Sequence, residues 1–154
     1  MRVTIVAVGR LRAGPEADLV TDYLARFDRT GRGLGLGPAE IREVTAAGGT
    51  GPEAAAIHRR LPADGRFAAL DQRGEAMSSP DLARFLQGAA DQGRRELTLV
   101  IGGADGLDPG LRGRAERLIS MGPMVWPHML VRVMLAEQLY RATAILSGAP
   151  YHRA

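Results

Sequence analysis

Leu97-Thr-Leu-Val-Ile101, followed at once by Gly102-Gly-Ala-Asp-Gly106, reads as a strand from the middle of a parallel sheet running into a glycine-rich exit turn. A short apolar run without inside–outside alternation fits a strand covered on both faces. Three glycines directly after it are explained in either of two ways. They form a tight strand-to-helix turn, or they let a ligand come close to the backbone. Their spacing is G-G-x-x-G, so the dinucleotide fingerprint G-x-G-x-x-G is absent.

Working outward, the same grammar repeats. Val3–Val8 is a β-branched run ending at Gly9, and Ala39–Val44 and Arg66–Leu70 read as further strands. Leu118–Ser120 supplies a short fifth. Between them lie helical patterns. Pro15–Phe27 places Leu19, Val20, Tyr23, Leu24 and Phe27 on one face. Thr50–Leu61 has Thr50 as N-cap and Glu53 three residues on, and Ser79 with Pro80 opens a helix to about Ala90. Asp108-Pro109 opens another. Gly31–Gly37 alternates glycine with Arg or Leu and reads as a flexible loop. Strands alternating with helices predict a three-layer α/β/α architecture with a mostly parallel sheet, and 154 residues predict a single domain, 1–154. Ligands in such sheets sit beyond the carboxyl ends of the strands. The loops 71–76, 102–107 and 121–127 are therefore the candidate site.

The C-terminal stretch is the most distinctive. Met121-Gly-Pro-Met-Val-Trp126 is a stiff apolar loop, and Pro127 suits the first position of a long helix. From Met129 to Ala136 the only polar side chain is Arg132, so this half of the helix is expected in a core or against a partner subunit. Glu137, Gln138 and Arg141 follow; Glu137 and Arg141 stand at i,i+4 and are expected to pair. Gly148 and Pro150 stop the helix, leaving Tyr151, His152 and Arg153 on a short tail.

Composition excludes several chemistries. All twenty basic residues are arginine, so a Walker A loop and Schiff-base catalysis both lack their lysine. There is no cysteine. The serines sit in no nucleophile elbow. His58, His128 and His152 are too dispersed to suggest a metal, and His58 reads as a surface residue. Asp71 and Asp105 follow strands and are expected to cap turns rather than bind Mg²⁺. Arginine without lysine permits an RNA partner, as does a bias of composition. No run is long enough for a membrane span, and the N-terminus reads as a strand rather than a signal peptide, so a cytoplasmic location is expected.

Ile5-Val-Ala-Val-Gly9, Leu99-Val-Ile-Gly-Gly-Ala-Asp-Gly-Leu107, Pro127-His-Met-Leu-Val-Arg-Val133, Glu137-Gln-Leu-Tyr-Arg-Ala142 and the ending Pro150-Tyr-His-Arg153, taken together, resemble the small bacterial methyltransferases that modify N3 of a pseudouridine in 23S ribosomal RNA. Trp126 is bulkier than the family pattern leads one to expect. The resemblance implies a SPOUT-type fold with a C-terminal trefoil knot, a homodimer, and S-adenosyl-L-methionine as methyl donor. It further implies that the cofactor lies on Leu70, Gly102, Gly103 and the loop Met121, Gly122, Pro123, Met124, Val125 and Trp126. His152 is expected near the target base, with Tyr151 stacking or hydrogen bonding and Arg153 on phosphate. Arg132 and Arg141 are expected to hold RNA or shape the dimer. Valine at Gly102 or Gly103 is expected to fill the space where backbone meets ligand. The other readings are a non-catalytic RNA-binding or ribosome-assembly module and a nucleotide-binding α/β regulator.

Overall fold

The computed structural model describes residues 1–151. Five strands, β1 (Arg2–Val8), β2 (Ala39–Val44), β3 (Ala68–Ala76), β4 (Glu96–Ile101) and β5 (Arg117–Ser120), form one sheet in the order β2-β1-β4-β3-β5. Every strand pairing in it is parallel. Helices α1 (Pro15–Gly31), α2 (Thr50–His58), α3 (Ser79–Asp91), α4 (Pro109–Arg114) and α5 (His128–Ser147) make the crossovers and the C-terminal cover.

The pleat of β1 shows why the layers form. Val3, Ile5 and Ala7 face one side, where they join Phe27 of α1, Leu86 of α3 and Leu135 and Leu139 of α5 in one core. Val6 and Val8 face the other, with Ala56 and Ile57 of α2 and Leu111 of α4. Side chains with a period of two on a sheet covered on both faces require this three-layer arrangement.

Several local expectations shift by a residue or more. The cap of α3 is Ser78, whose hydroxyl accepts the Asp81 N–H while the Asp81 carboxylate accepts the Ser78 N–H. α2 is preceded by Gly49 without a side-chain cap, and the Glu53 carboxylate lies against Gly103 instead. Residues 31–37 are a compact turn rather than a flexible loop. Gly31 ends α1, Arg32–Leu34 is a 3-10 turn, and Leu36 is buried against the core. Leu19 points outward, 44% exposed, instead of joining Val20 and Phe27.

Two hydroxyls stand out in the second face. Thr4 of β1 and Thr98 of β4 pair across the strands, both fully buried, and neither Oγ1 has a hydrogen-bond partner among the described residues. A desolvated hydroxyl without a partner is a cost that an apolar isostere removes. Thr4→Val with Thr98→Val is expected to raise unfolding stability by about 1 kcal/mol or more. Urea unfolding checks this; an unchanged or lower midpoint refutes it.

Candidate functional site

Because β4, β3 and β5 are neighbours, their three exit segments face each other at one edge of the sheet. They enclose a cleft of about 430 Å³ with an apolar floor that includes Leu70, Ile101, Ile119 and Val131. Gly102, Gly103, Met121, Gly122, Met124, Val125 and Trp126 all line it; Pro123 does not and is exposed.

The β3 wall is built by an irregularity that the sequence conceals. Leu70 pairs with Ile119, and Glu75 pairs with the same Ile119, so residues 71–74 loop out of the strand before it resumes. Asp71 fixes that loop: its carboxylate accepts the Arg73 N–H at 2.9 Å and faces Arg112 at 3.8 Å. Gly74, in this bulge, approaches the backbone of the paired strand β5 so closely that a Cβ there would lie 2.6 Å from the Leu118 carbonyl carbon. Backbone on backbone leaves nothing flexible to yield. Gly74→Ala is therefore expected to lower stability by about 1–3 kcal/mol. Thermal unfolding tests this; a wild-type midpoint refutes it.

The β4 wall changes the reading of the glycines. A Cβ on Gly102 would lie 2.8 Å from the Gly106 carbonyl oxygen, and one on Gly103 would lie 2.8 Å from both carboxylate oxygens of Glu53. Both positions are thus tight against the protein itself. A side chain at Gly102 would meet the turn itself and one at Gly103 the Glu53 carboxylate, while both glycines also line the cleft. Burial and the neighbouring Asp105 raise the Glu53 carboxyl above its ordinary range, while His128 and the Gly103 N–H oppose them.

The third wall is the loop after β5. Ser120 Oγ accepts the Gly122 N–H at 3.1 Å, holding Gly122 at φ 102°, a conformation natural to glycine. Beyond it Met124 and Val125 are 66% and 85% exposed, and the Trp126 indole N–H is buried without a partner among the described residues. His128, at the start of α5, closes this side.

Farther along α5 a polar cluster gathers. Arg141 donates to Glu137 Oε1 from Nε at 2.9 Å and from Nη2 at 2.6 Å, the i,i+4 pair expected from the sequence. The Tyr151 hydroxyl donates to the same oxygen at 3.0 Å, its ring 4.5 Å from that of Tyr140 and under the Arg141 guanidinium at 4.8 Å. Burial first, then the bond to Glu137, pushes the Tyr151 phenol up to about 12. Tyr151 is not among the residues lining the cleft, and His152 and Arg153 lie outside the described residues. Arg132, expected on RNA or at a dimer contact, is instead fully buried. It donates to the carbonyls of Val8 at 2.5 Å and Gly9 at 2.8 Å and pairs with Glu43 at 3.1 Å.

The family model described as Predicted SPOUT methyltransferase matches residues 1–152. This chain belongs to the SPOUT methyltransferase family.

Among its relatives, the "Ribosomal RNA large subunit methyltransferase H" proteins of Roseobacter denitrificans and Ruegeria pomeroyi are 63% and 62% identical, each over 99% of both chains. A methylase family protein from Neisseria gonorrhoeae shares the fold, with a TM-score of 0.54 at 17% identity over 99% of this chain and 88% of that one. The 71–76 loop chosen from the sequence contributes Asp71, Gln72 and Arg73 to the cleft, whereas Glu53, packed behind Gly103, was not singled out as a neighbour of the site. Glu53 carries no local signal for the site, because three residues after Thr50 it reads as a capping residue; what the sequence does not show in Asp71-Gln-Arg-Gly74 is that the strand resumes after it.

Proposed function

We propose that this chain transfers the methyl group of S-adenosyl-L-methionine to N3 of a pseudouridine in 23S ribosomal RNA of the large subunit, as one methyltransferase domain spanning 1–154. The observation that carries the reading is the full-length likeness to relatives named as large-subunit ribosomal RNA methyltransferases, joined to a cleft on the three strand exits. The cleft suits the cofactor: its volume falls in the range of small-molecule sites, its floor is apolar, and the exit turns expose backbone donors and acceptors.

Leu70, Ile101 and Ile119 provide an apolar surface for a flat ring, and Met121–Trp126 the side that covers it. Bound there, the cofactor supplies a sulfonium-activated methyl group, so the chain's own task is to hold the imide nitrogen in line and to take its proton. His152 is the proposed acceptor and Arg153 the proposed phosphate contact. Tyr151, pinned by Glu137 and Tyr140, fixes the point from which they depart.

The active form is a homodimer. Met124 and Val125 in the loop before α5 and Leu130 in its first turn leave apolar surface exposed, and a groove of about 600 Å³ beside α5 includes Val133, Met134 and Leu19. Obligate subunit contacts use such surface. A C-terminal trefoil knot belongs to the same reading. The site of action is the cytoplasm; no helix among the described residues is long and apolar enough to cross a membrane.

The test is incubation with methyl-labelled cofactor and ribosomes from a strain lacking the enzyme, followed by mapping of the labelled nucleotide. Label at N3 of one pseudouridine in 23S RNA is the expected result. Cofactor binding without transfer would favour the regulator, and RNA binding without cofactor would favour the assembly module.

A further inference from the structure

We infer that the β1 exit loop, Gly9 to Arg12, is a preformed grip for the RNA phosphate backbone beside the methyl-transfer cleft, with Arg10 and Arg12 as its two contacts. This rests on the ribosomal RNA reading above and adds a surface to it.

The loop is held from inside at alternate residues. Gly9 donates its N–H to the Val44 carbonyl at 2.8 Å, and its own carbonyl accepts from the buried Arg132. Leu11 donates its N–H to Glu43 Oε1 at 2.6 Å, the same oxygen that pairs with Arg132, and its half-buried side chain lies in a groove with Val20, Leu24 and Ile41. Residues 10 and 12, between and beyond these anchors, are exposed arginines. Neither makes an ion pair among the described residues, whereas Glu43, the carboxylate holding the loop, is occupied by Arg132 and Leu11.

Position gives the pair its meaning. β1 lies next to β4, so this loop adjoins the 102–106 wall of the cleft. A Cβ on Gly9 would lie 3.7 Å from His128 Nε2, and His128 lines the cleft. Two guanidiniums without carboxylate partners on a loop whose backbone is already fixed can take phosphate oxygens with little ordering cost. Asp105 and Glu53 repel a phosphate from the glycine turn, so a strand that passes this side of the cleft is held by the arginines of the β1 loop.

The experiment compares R10E/R12E with R2E/R29E, which makes the same charge change with two exposed arginines at the other end of the sheet and of α1. The probe is large ribosomal subunits from a strain lacking the modification, with binding measured over a range of salt concentrations. For R10E/R12E the dissociation constant for subunits rises about tenfold or more, and the slope of log affinity against log salt becomes shallower by between about one and two. Calorimetric affinity for S-adenosylmethionine stays at the wild-type value. R2E/R29E keeps the wild-type slope. R10Q/R12Q gives a smaller change in the same direction and replaces the reversal variant if that one misfolds. Equal behaviour of the two double variants overturns the inference, as does a shift in dimer sedimentation with no change in salt slope. A wild type that binds subunits but transfers no methyl refutes the catalytic reading and leaves this comparison intact; a wild type that binds none overturns it.

Discussion

An Arg132→Met variant is expected to lose about 3–5 kcal/mol of unfolding stability, the usual result of removing one member of a buried charged pair. For a chain of this size that is a fall in melting temperature on the order of 10 °C. Arg132 is fully buried, and burial lowers its pKa against the opposing pull of Glu43. What makes the loss large is what remains. Without the guanidinium, the Val8 and Gly9 carbonyls lose a donor and Glu43 loses its cation in a partly dry site. Adding Glu43→Leu to Arg132→Met should recover part of the loss, because the orphaned carboxylate goes with it. Differential scanning calorimetry of the single and double variants decides this. A single variant that melts with the wild type would mean that the arginine contributes no net stability.

Removing Tyr151 to Ala154 is expected to lower methyl transfer by about two orders of magnitude, the lower end of what a positioned proton acceptor contributes. Cofactor affinity is expected to stay within about twofold, since 0.4 kcal/mol is all that factor represents. The described part of the tail supports the division of labour. Tyr151 lies on Tyr140 and Glu137, on the polar cluster of α5, and none of its atoms lines the cleft. Glu137 keeps Arg141 and Gln138 after the truncation, so the helix itself should survive. Tyr151→Phe isolates the anchor. It removes one hydrogen bond, worth about 1 kcal/mol, and leaves His152 and Arg153 in the chain. Turnover on ribosomes beside calorimetric titration of cofactor separates the outcomes. Loss of affinity in the truncated protein would place the tail on the cofactor, and full activity would remove all three residues from the chemistry.

The five strands and the choice of three exit loops were legible because each depends on local pattern: apolar runs, glycine after a strand, a helix between. Caps were legible only to within a residue, since Ser78 and Ser79 offer the same hydroxyl and only backbone geometry selects one. The return of β3 to β5 after Leu70 was hidden, because polar residues and Gly74 in series look like the end of a strand. Arg132 was misread for a different reason. One arginine in an apolar helix reaches either water or a buried acceptor, and its acceptors Val8, Gly9 and Glu43 lie far away in sequence. The crowding at Gly102 and Gly103 likewise depends on Gly106 and Glu53, so a glycine pattern alone does not tell ligand space from protein space.

The strand order has a consequence for how the chain comes together during synthesis. β3 leaves the ribosome before both of its sheet neighbours, β4 and β5, while β1 has only β2 beside it until β4 appears. Two separate pieces with open edges must therefore wait for Glu96–Ile101 to insert between them. Non-local parallel pairing of this kind is slow, and an open strand edge recruits other chains. A nascent chain halted before Glu96 should be the aggregation-prone species and the one that most needs a holding chaperone, and that dependence should fall when β4 emerges and end once β5 closes the remaining edge of β3 and α5 covers the core.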